Sequence, residues 1–293
     1  MAKQSKLQVA VVQTDCTLGD VHANAERHAS YIREADAAGA DLILFPELSL
    51  TGYRLGADMV RVAMDRHDPV LGELAAVAPG RTVVLGIVEE GYAAQFYNSA
   101  VALRGGEVVF VHRKLNLPTY GNLEEGKLFA GGRYIELLDL GGPWHAGVLI
   151  CADLWNPALV HLAMVHGATL LLGPVNSAAE AVGGEFSNPH GWRLTVEFYS
   201  TMYGMPTLFA NRVGTEGDAR FWGGSRILGA HGEELAATEG DEERLLLAEL
   251  DYDSVRRARF QLPTVRDSNL NLVHREIERL AVRVGVPDIV RRS

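Results

Sequence analysis

The chain has 293 residues, 47% of them apolar and 22% charged, enough to bury an ample core in one large domain or two small ones without disulfide or metal support. A formal net charge of −10 argues against a polyanion as main partner, because nucleic-acid binding draws most of its affinity from Lys and Arg on phosphates. Two cysteines exclude a disulfide network and no apolar run reaches the roughly 18 residues of a membrane span, so a cytoplasmic protein with reduced thiols and neither a nucleic-acid nor a membrane partner is expected.

In chain order, Leu7 to Gln13 reads as a strand. Asp20 then caps a helix over 21–38 that stops at Gly39. A short buried strand follows at 42–45, a helix at 70–77 and a strand at 82–88. Residues 97–103 and 108–112 form a hairpin through Arg104-Gly-Gly-Glu107, where glycine tolerates positive φ. The second half repeats the plan: strand 146–150, helix 157–167, strand 169–172, helix 190–203 and strand 206–211. It too ends in a hairpin, residues 225–233, which echoes residues 99–107. The repeat predicts two similar α/β layers packed back to back, a four-layer α-β-β-α sandwich of two internally similar halves. The strands at 42–45 and 169–172 are almost wholly apolar, as expected of sheets covered on both faces.

The C-terminal stretch departs from the acidic average, with nine Arg against six Asp plus Glu in residues 251–293. Helices are expected near 252–260 and 274–284, with an irregular stretch around Pro263. Mixed charges at helical spacing suit salt-bridged helices or a subunit contact better than a phosphate-binding tail. The expected division is a main domain over 1–267 and a helical extension over 268–293 that serves as an oligomer contact.

Three positions place a reactive side chain just past a strand end, where open α/β sheets gather their sites. Glu47 follows a buried run and Pro46, Lys114 closes residues 108–114 and heads a loop, and Cys151 ends Gly147-Val-Leu-Ile-Cys151. Each alone has a plain explanation: a loop acid, a solvated lysine, a buried cysteine acting as a small hydrophobe. Together they supply a thiol nucleophile, a carboxylate to take and return its proton, and a cation for an oxyanion. A competing arrangement pairs Cys151 with His145, His166 or His190, without any local signature. No His-Glu-x-x-His or paired Cys-x-x-Cys suggests a metal.

Phe45-Pro-Glu47, His112-Arg-Lys114 and Ile150-Cys151-Ala-Asp153 together resemble the Glu-Lys-Cys triad of the nitrilase, or carbon-nitrogen hydrolase, superfamily, with coverage from about Leu7 to about Asp267. Residues 97–100, 210–214 and 221–225 also resemble the family. The resemblance implies the same sandwich and assembly into dimers or larger oligomers. It makes Cys151 the nucleophile, Glu47 the general base and Lys114 the oxyanion residue, with the Ala152 N–H as a second donor. It places a second glutamate at Glu125, four residues before Phe129, rather than at Glu124. Lys114 is expected to lower the Cys151 pKa. No metal or organic cofactor is needed.

Departures from subfamily patterns narrow the substrate. Nitrile-cleaving members typically have tryptophan after the cysteine, where this chain has Ala152, so a small-molecule amide is expected. Enzymes acting on N-carbamoyl amino acids typically have an arginine soon after the cysteine, and Leu154, Trp155 and Asn156 stand there instead. Leu117-Pro-Thr-Tyr-Gly121 and Cys151-Ala-Asp-Leu-Trp155 resemble the glutaminase domain of NAD synthetase, but no synthetase domain follows in the sequence, and a free-standing amidase is expected. Tyr53, Ala152, Trp155 and Asn176 are expected to line the pocket, with the loop over 183–190 as a lid. The alternatives are a nitrilase, an N-carbamoyl amine hydrolase and, outside enzymes, a silent scaffold of the same fold.

Overall fold

The structure, a computed structural model, describes residues 5–121, 123–183 and 185–284. The first half runs β1 (Lys6–Gln13), α1 (Val21–Ala37), β2 (Leu42–Leu44), α2 (Met59–Val62), α3 (Pro69–Val77), β3 (Thr82–Glu90), β4 (Phe96–Arg104), β5 (Glu107–Arg113) and the short α4 (Glu125–Leu128). The second runs β6 (Leu137–Gly141), β7 (Trp144–Val148), α5 (Pro157–Val165), β8 (Leu170–Val175), α6 (Asn188–Tyr203), β9 (Thr207–Asn211), β10 (Val213–Glu216), β11 (Ala219–Trp222), β12 (Arg226–Leu228), β13 (Glu234–Ala237), β14 (Arg244–Asp251), α7 (Tyr252–Gln261) and α8 (Leu270–Arg283). The helix starts follow local chemistry. Asp20 accepts the Ala23 N–H at the head of α1, and α3 and α5 each pair a capping Asp68 or Asn156 with proline in the first turn, where no N–H is needed.

Two six-stranded sheets carry the same plan, in the orders β14-β1-β2-β3-β4-β5 and β13-β12-β9-β8-β7-β6. In each, three parallel strands are flanked by an antiparallel hairpin on one side and an antiparallel edge strand on the other. One core joins the sheets face to face, with Val9, Leu44 and Val84 from the first meeting Val148, Leu172 and Leu208 from the second. A second core seals α1 and α3 onto the outer face of the first sheet, and a third seals α5 and α6 onto the second. Alternate residues of a strand point to opposite faces, so Val9 and Val11 serve the central core while Ala10 and Val12 serve the outer one. Each fully buried aliphatic side chain contributes about 1.5–3 kcal/mol. The four-layer sandwich of two similar halves is therefore present.

Several elements differ from expectation. β14 was not expected; it returns from the second half to pair along β1 from Lys6↔Asp251 to Gln13↔Arg244. Its sequence mixes charge with leucine because one face is exposed, which hides the strand from a reading of apolar runs. The edge strand β6 and the β10–β11 hairpin were likewise not expected. α6 begins at Asn188 rather than His190 and α8 at Leu270 rather than His274, capped by Asn269, whose side chain accepts the Leu272 N–H. Residues 285–293 of the C-terminal extension and Gly184 of the loop over 183–190 lie outside the described residues. No helix among the described residues is long and apolar enough to cross a membrane.

Candidate active site

Strand ends bring the reactive side chains together. Glu47 follows β2 after Pro46 ends the pairing, Lys114 follows β5, Cys151 follows β7 and Asn176 follows β8. The backbone at Glu47 and Leu48 crosses β3 so closely that a Cβ on Gly86 would lie 2.0 Å from the Leu48 nitrogen, so only glycine fits there. Cys151 opens a 3-10 turn with φ +45°, a left-handed conformation that side-chain-bearing residues rarely adopt and that costs on the order of 1 kcal/mol or more. Asp153 holds it. Its carboxylate, fully buried, accepts the main-chain N–H groups of Ile150 (3.0 Å), Leu115 (3.0 Å) and Asn116 (2.7 Å), tying the cysteine turn to the loop that follows Lys114.

The centre of the site is a buried cluster of one ammonium and two carboxylates. Lys114 Nζ lies 2.6 Å from Glu47 Oε1 and 2.7 Å from Glu125 Oε1. Asn98 donates to Glu47 Oε1 at 2.7 Å, and the Tyr53 hydroxyl donates to Glu125 Oε1 at 2.6 Å. The second oxygens, Glu47 Oε2 and Glu125 Oε2, are buried without a hydrogen-bond partner among the described residues. Such acceptors are costly unless something supplies a proton or an N–H. Beside the cluster is a narrow cavity walled by Tyr53, Tyr120, Cys151, Trp155, Asn176 and Trp192, with about 20 Å³ of open space, room for about one water.

The expected residues are thus gathered. Glu47, Lys114 and Glu125 are in contact, and Glu125, Cys151, Tyr53, Ala152, Trp155 and Asn176 all line the one cavity. Glu124 is not part of it; it is exposed and pairs with Lys127, so of the two glutamates Glu125 stands in the cluster. Among the described lining residues there is no histidine: His145 sits near Asp139, His166 ends α5 and His190 lies in the first turn of α6. Among the described residues no group of three or more His, Cys, Asp or Glu is arranged to hold a metal ion.

Over residues 8–260 the chain matches the family model of the carbon-nitrogen hydrolases. It belongs to that family. Among its relatives, a glutamine-dependent NAD(+) synthetase of Thermotoga maritima is 30% identical over 252 residues, 85% of this chain and 42% of the synthetase. The chain thus spans less than half the length of that relative. An N-carbamoylputrescine amidase of Solanum tuberosum is 26% identical, covering 93% of this chain and 95% of that protein. An amidase of the nitrilase superfamily from Nesterenkonia superposes with a TM-score of 0.76 at 26% identity, over 92% of this chain and 96% of that one.

The electrostatics of the thiol are set chiefly by burial. Burial pushes the Cys151 thiol well above the ordinary cysteine value, Glu47 adds to the rise, and Lys114 opposes it without prevailing. Lys114 thus lowers the Cys151 pKa, as expected, but burial and Glu47 outweigh it and the net shift favours the thiol. Burial alone would lower Lys114, but Glu125 and Glu47 outweigh it and keep the ammonium charged. Burial also raises Glu125, with Lys114 pulling the other way, and burial followed by Glu125 holds Tyr53 well above the usual phenol value, so its hydroxyl remains a donor.

Sequence reading gave no role to Asn98, Asp153 or Asn188. Asn98 fixes Glu47, Asp153 fixes the cysteine turn, and Asn188 donates to Ser177 Oγ (2.8 Å) and to the Ala178 carbonyl (2.7 Å) beneath the cavity. The signal for the first was in view: Asn98-Ser99 is a polar pair inside an otherwise apolar, buried strand. In the loop expected to act as a lid, Phe186 is half-exposed and edge-on to Trp155 at 5.8 Å.

Proposed function

We propose that the protein hydrolyses the C–N bond of a small amide through a thioester on Cys151. The observation that carries this reading is the buried Glu47–Lys114–Glu125 cluster at the wall of the cysteine cavity, with a free carboxylate oxygen on Glu47. A buried ammonium between two carboxylates is a poor device for stability. It is a good one for stabilising a negative oxygen as it forms.

In the proposed cycle Glu47 accepts the Cys151 proton as Sγ bonds to the amide carbon. The electron pair of the C=O moves to oxygen, which is held by the Lys114 ammonium and the Ala152 N–H. The C=O re-forms, the C–N bond breaks, and the amine leaves with the proton from Glu47. Water, deprotonated by Glu47 and oriented by Glu125, then adds to the thioester. The C–S bond breaks, the acid is released and the proton returns to sulfur. With burial and Glu47 favouring the protonated sulfur, proton transfer to Glu47 accompanies attack, and Glu47 is essential to the first step.

The amidases among the relatives support amide over nitrile hydrolysis, as does Ala152 in place of tryptophan. A second reading, in which the amide is the side chain of glutamine, is supported by the likeness to glutamine-dependent NAD(+) synthetases. The test is ammonia release from small amides, ω-amides, carbamoyl amines and nitriles, beside Cys151→Ala. Release by the wild type alone, with a thioester mass on Cys151, is expected. Silence across the panel would favour a scaffold, and an adduct on Cys16 would overturn the site assignment.

A further inference from the structure

Beside the narrow cysteine cavity lies a wider one of about 170 Å³, and Tyr53, Leu123, Asn176 and Ala181 line both. An apolar cavity of about 150 Å³ admits benzene, so this outer space accommodates a tail of roughly six heavy atoms. The narrow inner slot then takes only the reacting group. Three charged residues line the outer space: Arg54, Glu180 and Asp218. Arg54 is paired with Asp218, and Glu180 forms no ion pair among the described residues. The lining therefore carries two carboxylates against one guanidinium.

The shared wall adds an acceptor. Asn176 Nδ2 donates to the Glu47 carbonyl at 3.3 Å, while its Oδ1 is buried with no partner among the described residues. Turning the amide round would set two oxygens against each other, so the acceptor orientation is fixed by its surroundings. An ammonium group has three donors and no acceptor. It matches this lining, whereas a lone carboxylate would meet Glu180 and an arginine already engaged.

We propose that the outer cavity is an ammonium subsite: the substrate is an amide whose tail carries a positively charged amine, held by Glu180 with the Arg54-paired Asp218 adding a second carboxylate nearby, while Asn176 Oδ1 accepts an N–H nearer the reacting carbon. This rests on the amide-hydrolase reading and names its substrate class. The Asp218 side chain is 81% exposed, so water and salt screen it and the selectivity is modest, about 5–10-fold in KM.

The experiment compares pairs of ω-amides of equal length that differ by one amino group on the tail. Ammonia release is followed at low and high salt in the wild type, Glu180→Gln, the Glu180→Gln/Asp218→Asn double variant and Glu180→Lys. In the wild type the amine-bearing member should have a KM about 5–10-fold lower, an advantage that shrinks with salt. The KM ratio within each pair should fall toward one in the double variant and invert in Glu180→Lys. Equal KM values in the wild type, or a ratio unmoved by the substitutions, would overturn the subsite while leaving amide hydrolysis standing. Failure to hydrolyse either member of any pair would overturn the amide-hydrolase reading, and the subsite with it.

Discussion

Replacing Glu216 separates holding the site together from doing its chemistry. This buried carboxylate accepts the main-chain N–H groups of Tyr53 (3.1 Å) and Arg54 (2.8 Å), with the Arg212 guanidinium as counter-ion. Arg212, 1% exposed, also reaches Asp15 Oδ1 (2.7 Å) and the Cys16 carbonyl (3.0 Å) and lies over the Phe221 ring. β10, from the second half, thus fixes the turn in the first half that carries Tyr53, whose hydroxyl donates to Glu125. Glu216→Gln keeps an acceptor oxygen for the two N–H groups but removes one charge of a buried pair, which costs about 3–5 kcal/mol. Asp15 still balances part of the guanidinium, so the lower figure, about 3 kcal/mol, is expected. Glu216→Leu also leaves two N–H groups without partners at about 1–3 kcal/mol each, bringing the loss to about 5–9 kcal/mol of a typical total of about 5–15. Urea unfolding measures both. Turnover by folded Glu216→Gln should fall about tenfold, and in a double-mutant cycle with Tyr53→Phe the two losses should overlap rather than multiply. A stability loss under about 1 kcal/mol would refute the account of the buried pair, and fully independent effects on rate would refute action through Tyr53.

Three further outcomes are expected. The rate of Cys151 alkylation by iodoacetamide should keep rising above pH 9, because burial and Glu47 hold the thiol up, and Lys114→Met should slow it further; a plateau near neutral pH would reveal a resting thiolate and contradict the assigned electrostatics. Burial lowers His28, stacked on Phe45 and bonded to Ser49, from 6.5 to about 4. Because the unfolded chain takes up this proton first as pH falls, roughly 3 kcal/mol of stability is present above pH 6.5 and lost toward pH 4. His28→Gln should flatten that slope between pH 6.5 and 5 in thermal melts, and an identical slope would count against the assignment. On α8 the exposed Leu270, Val273, Ile277 and Leu280, followed by Val284, recur at coiled-coil spacing. We propose an antiparallel contact with a second copy, which sets Ile277 opposite Leu280 and brings Glu276 near Arg283 of opposite charge; Ile277→Asp/Leu280→Asp should give a monomer by sedimentation, and a wild-type monomer or an unaffected dimer would refute it.

The layers were legible in the sequence because strands covered on both faces read as apolar runs and because helix caps and glycine turns act locally. Leu42–Leu44 and Leu170–Val175 needed no tertiary information, nor did Asp20 or the Arg104-Gly-Gly-Glu107 turn. Glu47, Lys114 and Cys151 stood out because each follows a strand end. β14 was not legible, since its pairing partner β1 lies more than 230 residues away in sequence and its exposed face breaks the apolar pattern. Only tertiary structure gave Lys114 two carboxylates to serve, and burial with Glu47 the raised thiol, because that balance depends on which charges share one buried space. The same holds for Asp153 and Glu216: a side chain that accepts main-chain N–H groups from a distant loop leaves no periodic trace, since the chain that receives it contributes only its backbone.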